Sequence, residues 1–196
     1  MADLIEIRLD YRQEPLNLHS IRVSTSKPLI ATNRLKDQGG KAEEPESQRL
    51  QLLFDAVDAG FDYVDIESST SGLEKIIYEL HGAGAKVIVS IHDFKNPLDI
   101  QQLEWHHVEL SKTKCDIIKI SGLANRYEDN LPYLEYNKKH PGNVSFGMGE
   151  MGIISRILAP LTGAAYTYAS LGSGLELAPG QVPLKALRET YRRITQ

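Results

Sequence analysis

The stretch "CDIIKISGL" (residues 115–123) decides the fold, because it is an apolar strand pattern with one charged residue inside it. Ile117, Ile118 and Ile120 are typical of a β-strand that is covered on both faces. Lys119 stands among them, and an ammonium group is costly to bury unless it is paired or neutralised. Either the fold or the function must therefore account for this lysine.

Similar apolar runs recur along the chain and alternate with amphipathic stretches. We predict strands at residues 4–10, 28–35, 63–68, 86–94, 116–123, 144–150 and 164–170. Helical patterns occupy residues 44–60, 71–84, 97–114, 126–140, 151–161 and 182–194. This alternation with short connections predicts parallel strands joined by right-handed crossovers. No linker or shift in composition divides the chain, so we expect one domain over residues 1–196.

Within each predicted strand the polar residues fall on one side. Such alternating sets are Glu6, Arg8 and Asp10; Thr32 and Arg34; Asp65 and Glu67; Ser90 and His92; and Lys119 and Ser121. An open parallel sheet would be apolar on both faces, because helices cover both. Charge gathered near the strand C-termini is instead expected at the inner mouth of a (β/α) barrel. The prediction is thus an α/β fold of the TIM type.

The strand count predicts that this barrel is incomplete. A full barrel has eight strand-helix units and typically ~250 residues. Here seven strands are readable, and the chain opens almost directly on a strand. We therefore expect the first unit to be missing, and the sequence leaves open how the barrel closes.

Composition argues against several classes of function. The formal net charge is −4, and no dense stripe of lysine and arginine is present, which gives little support to nucleic-acid or membrane-surface binding. The N-terminus lacks the pattern of a signal peptide, and no long apolar run follows. The single cysteine, Cys115, excludes an internal disulfide and fits a reducing compartment. We expect a cytoplasmic protein.

Lys119 has two interpretations. A lysine near a strand end can bury its aliphatic stem and extend its ammonium group to water. In a barrel strand, facing inward near the C-terminal end, a chemical role is favoured instead. Burial lowers the pKa of an amine and so makes it a usable nucleophile toward a carbonyl, and the product is a Schiff base.

His92, in "SIHDF" (90–94), ends the preceding strand on the same inward side. A lone histidine is more often a core polar residue with satisfied hydrogen bonds. Neighbouring parallel strands lie ~4.8 Å apart, so His92 and Lys119 could act on one small substrate. A base beside an amine nucleophile is the equipment for removing a proton next to an imine carbon. Asp93 points the other way and is expected to have a structural role.

Three arginines are candidate anion binders, since arginine pairs with carboxylates in a bidentate manner. Arg8 is flanked by acidic residues on its own face, so pairing within the barrel and substrate contact both stay open. For Arg156, a solvated helix face is an equal alternative. The third candidate is Arg34.

Residues 170–183 mix glycine and proline, which suits a lid over the site or an ordinary surface connection. The histidines at 81, 106 and 107 lack metal-ligand spacing, so we expect no metal site.

Taken together, these segments resemble the type I 3-dehydroquinate dehydratases, which are Schiff-base lyases of the shikimate pathway of aromatic amino-acid biosynthesis. The matching segments, in the family's order, are "IEIRLDY" (5–11), "ATNR" followed by "QGG" (31–40), "YVDIE" (63–67), "VSIHDF" (89–94), "DIIKIS" (116–121), "SFGMGEMGIISR" (145–156) and "APGQ" (178–181). Each motif alone is weak, but the ordered set is very specific and covers nearly the whole chain.

The resemblance implies a (β/α)₈-type fold, no metal or organic cofactor, a homodimer, and syn elimination of water from 3-dehydroquinate to give 3-dehydroshikimate. Lys119 matches the family's Schiff-base lysine, and His92 matches its general acid/base. Arg156 matches the arginine that holds the substrate carboxylate, and Gln181 matches a lid glutamine. The remaining residues matched to the substrate pocket are Glu6, Arg8, Arg34 and Met148.

The sequence departs from the bacterial form of this family in three places. Gln38 stands where a glutamate commonly precedes the paired glycines. A neutral amide can orient the imidazole of His92 by hydrogen bonding but cannot raise its pKa by charge. Leu177 stands where a lid serine is often found. We also expect the family's first strand and helix to be missing, in agreement with the strand count.

Two rival functions stay open from sequence. A Schiff-base aldolase on a similar barrel would cleave a carbon-carbon bond, although the motifs at 148–156 and 178–181 argue against it. A catalytically silent barrel that binds the same ligand is the other rival, and retention of both Lys119 and His92 argues against that.

Overall fold

Six parallel strands form the main sheet of the computed structural model, which describes residues 2–195, and they follow one another in chain order. Their bounds are β1 Ile5–Arg8, β2 Leu29–Thr32, β3 Tyr63–Glu67, β4 Lys86–Asp93, β5 Ile117–Leu123 and β6 Val144–Met148. Each lies inside a range predicted from sequence. The apolar and β-branched residues of these runs suffice to place the strands, because burial on both sides requires such residues.

The helices are α1 Leu18–Val23, α2 Glu46–Asp58, α3 Leu73–Gly82, α4 Ile100–Ser111, α5 Leu131–Lys139, α6 Ile153–Leu158 and α7 Leu184–Ile194. All but α1 fall in predicted helical ranges. Helix α1 has only six residues and depends on Asn17, whose side chain accepts a hydrogen bond from Ser20 N at 2.9 Å. A helix this short has too few turns to show a helical hydrophobic period.

The seventh predicted strand, at residues 164–170, is wrong for most of its length. Only β7, Ala169–Ser170, is a strand, and it pairs with a second two-residue strand, β8, Val182–Pro183, that the sequence did not predict. A ladder of two residues leaves residues 164–168 without strand pairing. Pro183 also limits this pairing, because proline has no N–H to donate.

The chain forms two compact units, and the boundaries fall within β4, α4 and β5. The N-terminal unit contains Ala2–Ile91 and Glu109–Ile118. The C-terminal unit contains His92–Val108 and the described chain from Lys119 onward. The prediction of a single domain over residues 1–196 stays a prediction, and its two end residues lie outside the described chain.

In the N-terminal unit, strand register aligns the polar residues. Arg8 pairs with Thr32, Thr32 with Asp65, and Glu67 with Ser90. Paired residues in a parallel ladder point to the same face, so these side chains share one side of the sheet. The opposite face is apolar, with Val64 and other fully buried residues, and α2 packs against β2 and β3.

In the C-terminal unit, β5 and β6 pair so that Lys119 lies beside Val144 and Ser121 beside Phe146. Helices α5 and α6 pack on β6. Asn137 on α5 fixes β6 through both atoms of its amide, since it accepts from Ser145 N at 2.9 Å and donates to Ser145 O at 2.8 Å. Strand β6, which pairs with the strand that carries Lys119, is therefore attached to α5 by two hydrogen bonds.

No helix within residues 2–195 is both long and apolar enough to cross a membrane.

Candidate active site

Lys119 is buried, with 5% of its surface exposed. Its Nζ donates a hydrogen bond to the Tyr168 hydroxyl at 3.2 Å and lies 4.5 Å from the centre of the Tyr168 ring. The alternative in which the ammonium group extends to water is therefore wrong. The amine is buried on the strand face that also carries Ser121, as the strand alternation predicts.

Tyr168 is a functional candidate that sequence reasoning missed. Its ring meets Phe146 edge-on at 6.1 Å and Tyr166 edge-on at 5.4 Å between ring centres. These contacts fix the position of the hydroxyl beside Lys119. Two tyrosines spaced two residues apart in a predicted strand were the available signal, but aromatic residues are common in strands and do not stand out there.

Arg156 is buried on α6, with 3% of its surface exposed, so a solvated helix face is also wrong. Its guanidinium carbon lies 4.3 Å from the centre of the Phe146 ring, and its Nη2 donates to Pro179 O at 3.2 Å. Its Nε is buried without a hydrogen-bond partner in the described chain. Burial lowers the pKa of Arg156 to about 10, and Tyr168 opposes this shift.

This arginine differs from an ordinary buried ion pair, since no carboxylate of the described chain pairs with it. A buried cation is normally paired, because desolvation costs several kcal/mol per ion. A small anion such as a carboxylate would supply the missing charge and accept from the unpartnered N–H groups. Arg156 thus has the properties of an anion-binding residue.

His92 lies at the end of β4 and is half-buried. Its ring is nearly parallel to that of Phe94, with 6.0 Å between ring centres and 17° between planes.

Ser121 lies on the same strand face as Lys119, two residues nearer the C-terminal end of β5. Its buried hydroxyl has no hydrogen-bond partner in the described chain. Met148, the last residue of β6, is buried on the face that also carries Phe146.

The loop at residues 170–183 contacts this site through "APGQ". Pro179 O accepts from Gly149 N at 3.4 Å, in addition to its bond from Arg156. Gly180 has φ +78, and a Cβ there would overlap the carbonyl oxygen of Gly149, so only glycine fits this approach. Gln181 accepts from Leu177 N at 2.9 Å and thereby closes its own loop.

In the N-terminal unit, Arg34 is the centre of a buried network. Its Nη2 lies 2.7 Å from Asp65 Oδ1, and its Nη1 lies 3.2 Å from Glu67 Oε1 and donates to Ser90 Oγ at 2.7 Å. Ser90 in turn donates to Asp65 at 2.7 Å. Burial alone would lower the pKa of Arg34, but the charges of Asp65 and Glu67 outweigh it and raise that pKa.

Arg49 is a second buried cation that the sequence did not single out. It lies on α2, is fully buried, and donates to Glu67 Oε2 at 2.8 Å. It also binds both oxygens of Glu46, at 2.7 and 2.8 Å. The segment around it, "EPESQRLQ", has the composition of a solvated helix, so only the need of Glu67 for a partner could have indicated it.

The other predicted residues of this unit are engaged as follows. Arg8 binds Asp10 in a bidentate manner, at 2.8 and 2.6 Å, so of the two alternatives the structure shows pairing within the fold. Glu6 accepts from the Thr32 hydroxyl at 2.7 Å. Gln38 is half-buried at the end of the 3₁₀ turn Lys36–Gln38. Its orientation of His92 stays a prediction.

The described chain contains no cluster of three or more histidine, cysteine, aspartate or glutamate residues able to hold a metal ion. His81 instead lies 2.8 Å from Asp116, and His107 stacks on His140 with 3.7 Å between ring centres.

The predicted site residues divide between the two units. Lys119, His92, Arg156, Met148 and Gln181 belong to the C-terminal unit, and Glu6, Arg8, Arg34 and Gln38 to the N-terminal unit.

Comparison with known proteins gives one consistent result. The family model of type I 3-dehydroquinase matches residues 1–196. A 3-dehydroquinate dehydratase of Dehalococcoides mccartyi is 36% identical over 195 residues, which are 98% of this chain and 86% of that protein.

Solved structures agree with this match. The crystal structure of the 3-dehydroquinate dehydratase from Aquifex aeolicus VF5 is 30% identical, with a TM-score of 0.81 over 98% of this chain and 88% of that one. The enzyme from Geobacillus kaustophilus HTA426 has a TM-score of 0.87 at 22% identity, over 98% of this chain and 80% of that one. The predicted fold class, an α/β barrel type that is incomplete here, is confirmed.

Proposed function

The chain belongs to the type I 3-dehydroquinase family, and we propose that it removes water from 3-dehydroquinate through an imine on Lys119, giving 3-dehydroshikimate. Membership of this family makes it a hydro-lyase, as predicted, and places it in the shikimate pathway of aromatic amino-acid biosynthesis. The finer proposals concern the residues that carry the reaction.

The observation that carries the mechanism is that one unit holds both the buried amine of Lys119 and the buried guanidinium of Arg156, and that no carboxylate of the described chain pairs with this guanidinium. The substrate has a ketone and a carboxylate. Lys119 would attack the ketone carbon, and Arg156 would hold the carboxylate. Binding the substrate would therefore neutralise the buried charge of Arg156 and place the ketone for reaction in the same step.

His92 would act once the imine has formed. The imine withdraws electrons from the neighbouring carbon, so His92 can take its proton and leave an enamine. The electron pair of that enamine then expels the hydroxyl group, and protonated His92 gives its proton to the departing oxygen, which leaves as water. Hydrolysis of the product imine would restore the Lys119 amine.

The remaining roles rest on the family resemblance alone. Glu6, Arg8 and Arg34 would line the hydroxyl-binding side, Met148 would form a wall, and Gln181 would turn from its own loop toward the bound substrate. Gln38 would orient His92. A homodimer, a cytoplasmic location, and function without metal or organic cofactor belong to the same proposal.

Borohydride reduction in the presence of substrate tests the imine. We expect mass mapping to place one covalent adduct on Lys119 and none on Lys86, an exposed lysine of β4. The Lys119→Met variant should give no adduct and no turnover. The mechanism would be disproved if the wild-type protein turned over substrate and borohydride left no adduct on Lys119.

The His92→Ala variant separates imine formation from elimination. We expect the adduct to form, while conjugated enone absorbance develops about 10²–10⁴-fold more slowly. Carbon-carbon cleavage without enone absorbance in the wild-type protein would favour the aldolase alternative. Ligand binding without an adduct or turnover would favour a silent barrel.

A further inference from the structure

The hydroxyl of Tyr168 lies in contact with the atom that forms the imine. Lys119 Nζ donates to it at 3.2 Å and also lies over its ring, 4.5 Å from the ring centre. Phe146 and Tyr166, whose rings contact the ring of this tyrosine, belong to the same unit as Lys119. The contact between Lys119 and Tyr168 thus lies within the C-terminal unit.

Imine formation requires a proton transfer that Lys119 cannot carry out alone. When a neutral amine attacks a ketone, the new carbon-nitrogen bond leaves the nitrogen with one proton too many. The carbonyl oxygen, which has received the electron pair of the broken π bond, lacks one. A group that both accepts and donates a proton is needed between them, and a tyrosine hydroxyl has both capacities.

We propose that Tyr168 is a catalytic proton relay for the addition of Lys119 to the substrate ketone. As the carbon-nitrogen bond forms and the carbon-oxygen π bond opens, the hydroxyl of Tyr168 gives its proton to the substrate oxygen. The phenolate oxygen then takes one proton from Nζ. The product is a neutral carbinolamine and an unchanged tyrosine, so no other reactant is consumed.

The short contact between the two groups supports this relay. Lys119 Nζ and the Tyr168 oxygen lie within hydrogen-bond distance, at 3.2 Å, so a proton can pass directly from one to the other. Arg156 interacts electrostatically with Tyr168, and its positive charge would stabilise the transient phenolate. A packing role alone would need the ring but not the hydroxyl.

This inference rests on the proposed function, so its test is made in the His92→Ala background, where the imine forms but elimination is slow. The Tyr168→Phe change removes only the hydroxyl. In single-turnover mixing followed by a borohydride quench, we expect adduct on Lys119 to accumulate about 10²-fold more slowly than with His92→Ala alone. The matched control is Tyr166→Phe, which removes the neighbouring hydroxyl and should leave the rate unchanged.

The outcomes separate the two hypotheses. If His92→Ala forms no adduct, the proposed function fails. If it forms the adduct and Tyr168→Phe forms it equally fast, the relay is overturned while the proposed function stands. Equal slowing by Tyr166→Phe would also overturn the relay, since any buried hydroxyl would then be sufficient to explain the effect.

A second measurement keeps the test decisive if Tyr168→Phe does not fold. Replacing Tyr168 with 3-fluorotyrosine keeps the hydroxyl and makes it more acidic. We expect the alkaline decline in the rate of adduct formation to move to lower pH, because the relay must begin protonated. An unmoved pH profile would overturn the proposal.

Discussion

The guanidinium of Arg156 lies over the ring of Phe146, 4.3 Å from its centre, and no carboxylate of the described chain neutralises it. Arg34, in contrast, lies within 3.2 Å of two carboxylates. The two buried arginines thus meet opposite electrostatic conditions. Burial lowers the pKa of Arg156, whereas acidic neighbours raise that of Arg34. This contrast supports the proposed anion-binding role of Arg156 and shows that Arg34 joins two carboxylates of its own unit.

The Arg156→Met variant should bind substrate poorly without losing stability. A hydrogen bond to a charged group contributes about 1.5–3 kcal/mol, so we expect KM to rise by roughly tenfold or more. The thermal midpoint should not fall, because an unpaired buried charge is removed. Steady-state kinetics and thermal unfolding measure the two effects. Arg126→Met, at an exposed arginine of the same unit, should change neither. An unchanged KM in Arg156→Met would contradict the anion-binding role.

The Arg34→Met variant should lose much of its stability. Removing this side chain leaves Asp65 and Glu67 buried without one of their cations, which typically costs about 3–5 kcal/mol. Urea unfolding measures the change. Lys36→Ala is the control, since Lys36 forms an exposed ion pair with Glu43 and its removal should have little effect. Equal stability of the two variants would show that the Arg34 network is not structural.

The main sheet could be predicted from sequence because each strand carries a strong local signal. In runs such as "IIKIS" the apolar residues are β-branched and the polar ones occur only at alternate positions. This alternation determines which side chains share a face. Lys119 and the acidic residues of β3 were therefore placed correctly. The two-residue strands β7 and β8 have no such signal, since they exist only through pairing with each other.

The site was predicted only as far as charged residues reveal it. Lys119 and Arg156 stand out because a charge in an apolar context needs explanation. Tyr168 does not, because an aromatic residue is ordinary in a strand, and its significance depends on a hydroxyl position that only the three-dimensional structure gives. Arg49 was missed for the reverse reason, since a charge on a helix is ordinary until the helix is seen to bury it.

The Gly180→Ala variant should release the loop from Gly149. Alanine strains the backbone at φ +78, and its Cβ would also overlap the carbonyl oxygen of Gly149. We expect faster cleavage of residues 170–183 by protease and a higher KM, because Pro179 would leave Arg156. Gly174→Ala is the matched control. It has φ +80 but open space around its Cβ, so it carries the backbone strain without the collision. If both variants behaved alike, strain alone would explain the result.

Stability should fall as the pH drops below about 6.5, through the histidines that join α4 and α5. Burial, followed by the charge of His140, lowers the pKa of His107 below its ordinary value of 6.5, and Glu104 opposes this only in part. The unfolded chain then takes up a proton at a higher pH than the folded chain does, so acid favours unfolding between these two values. A ring nitrogen of His107 forms a hydrogen bond with the buried Tyr136 hydroxyl at 2.9 Å. Glu104 also pairs with Lys139, at 3.7 Å.

Thermal unfolding between pH 7.5 and 5.5 measures this dependence. The thermal midpoint of the His107→Gln variant should fall less over that range than the midpoint of the wild-type protein, because glutamine takes up no proton. The control is His19→Gln, at an exposed histidine of α1, which should follow the wild-type profile. Glu104, which pairs with His140, also has a lowered pKa, but it takes up a proton only below its ordinary value of 4.5 and so does not contribute in this range. Parallel profiles for wild type and His107→Gln would contradict the assignment of the acid sensitivity to His107.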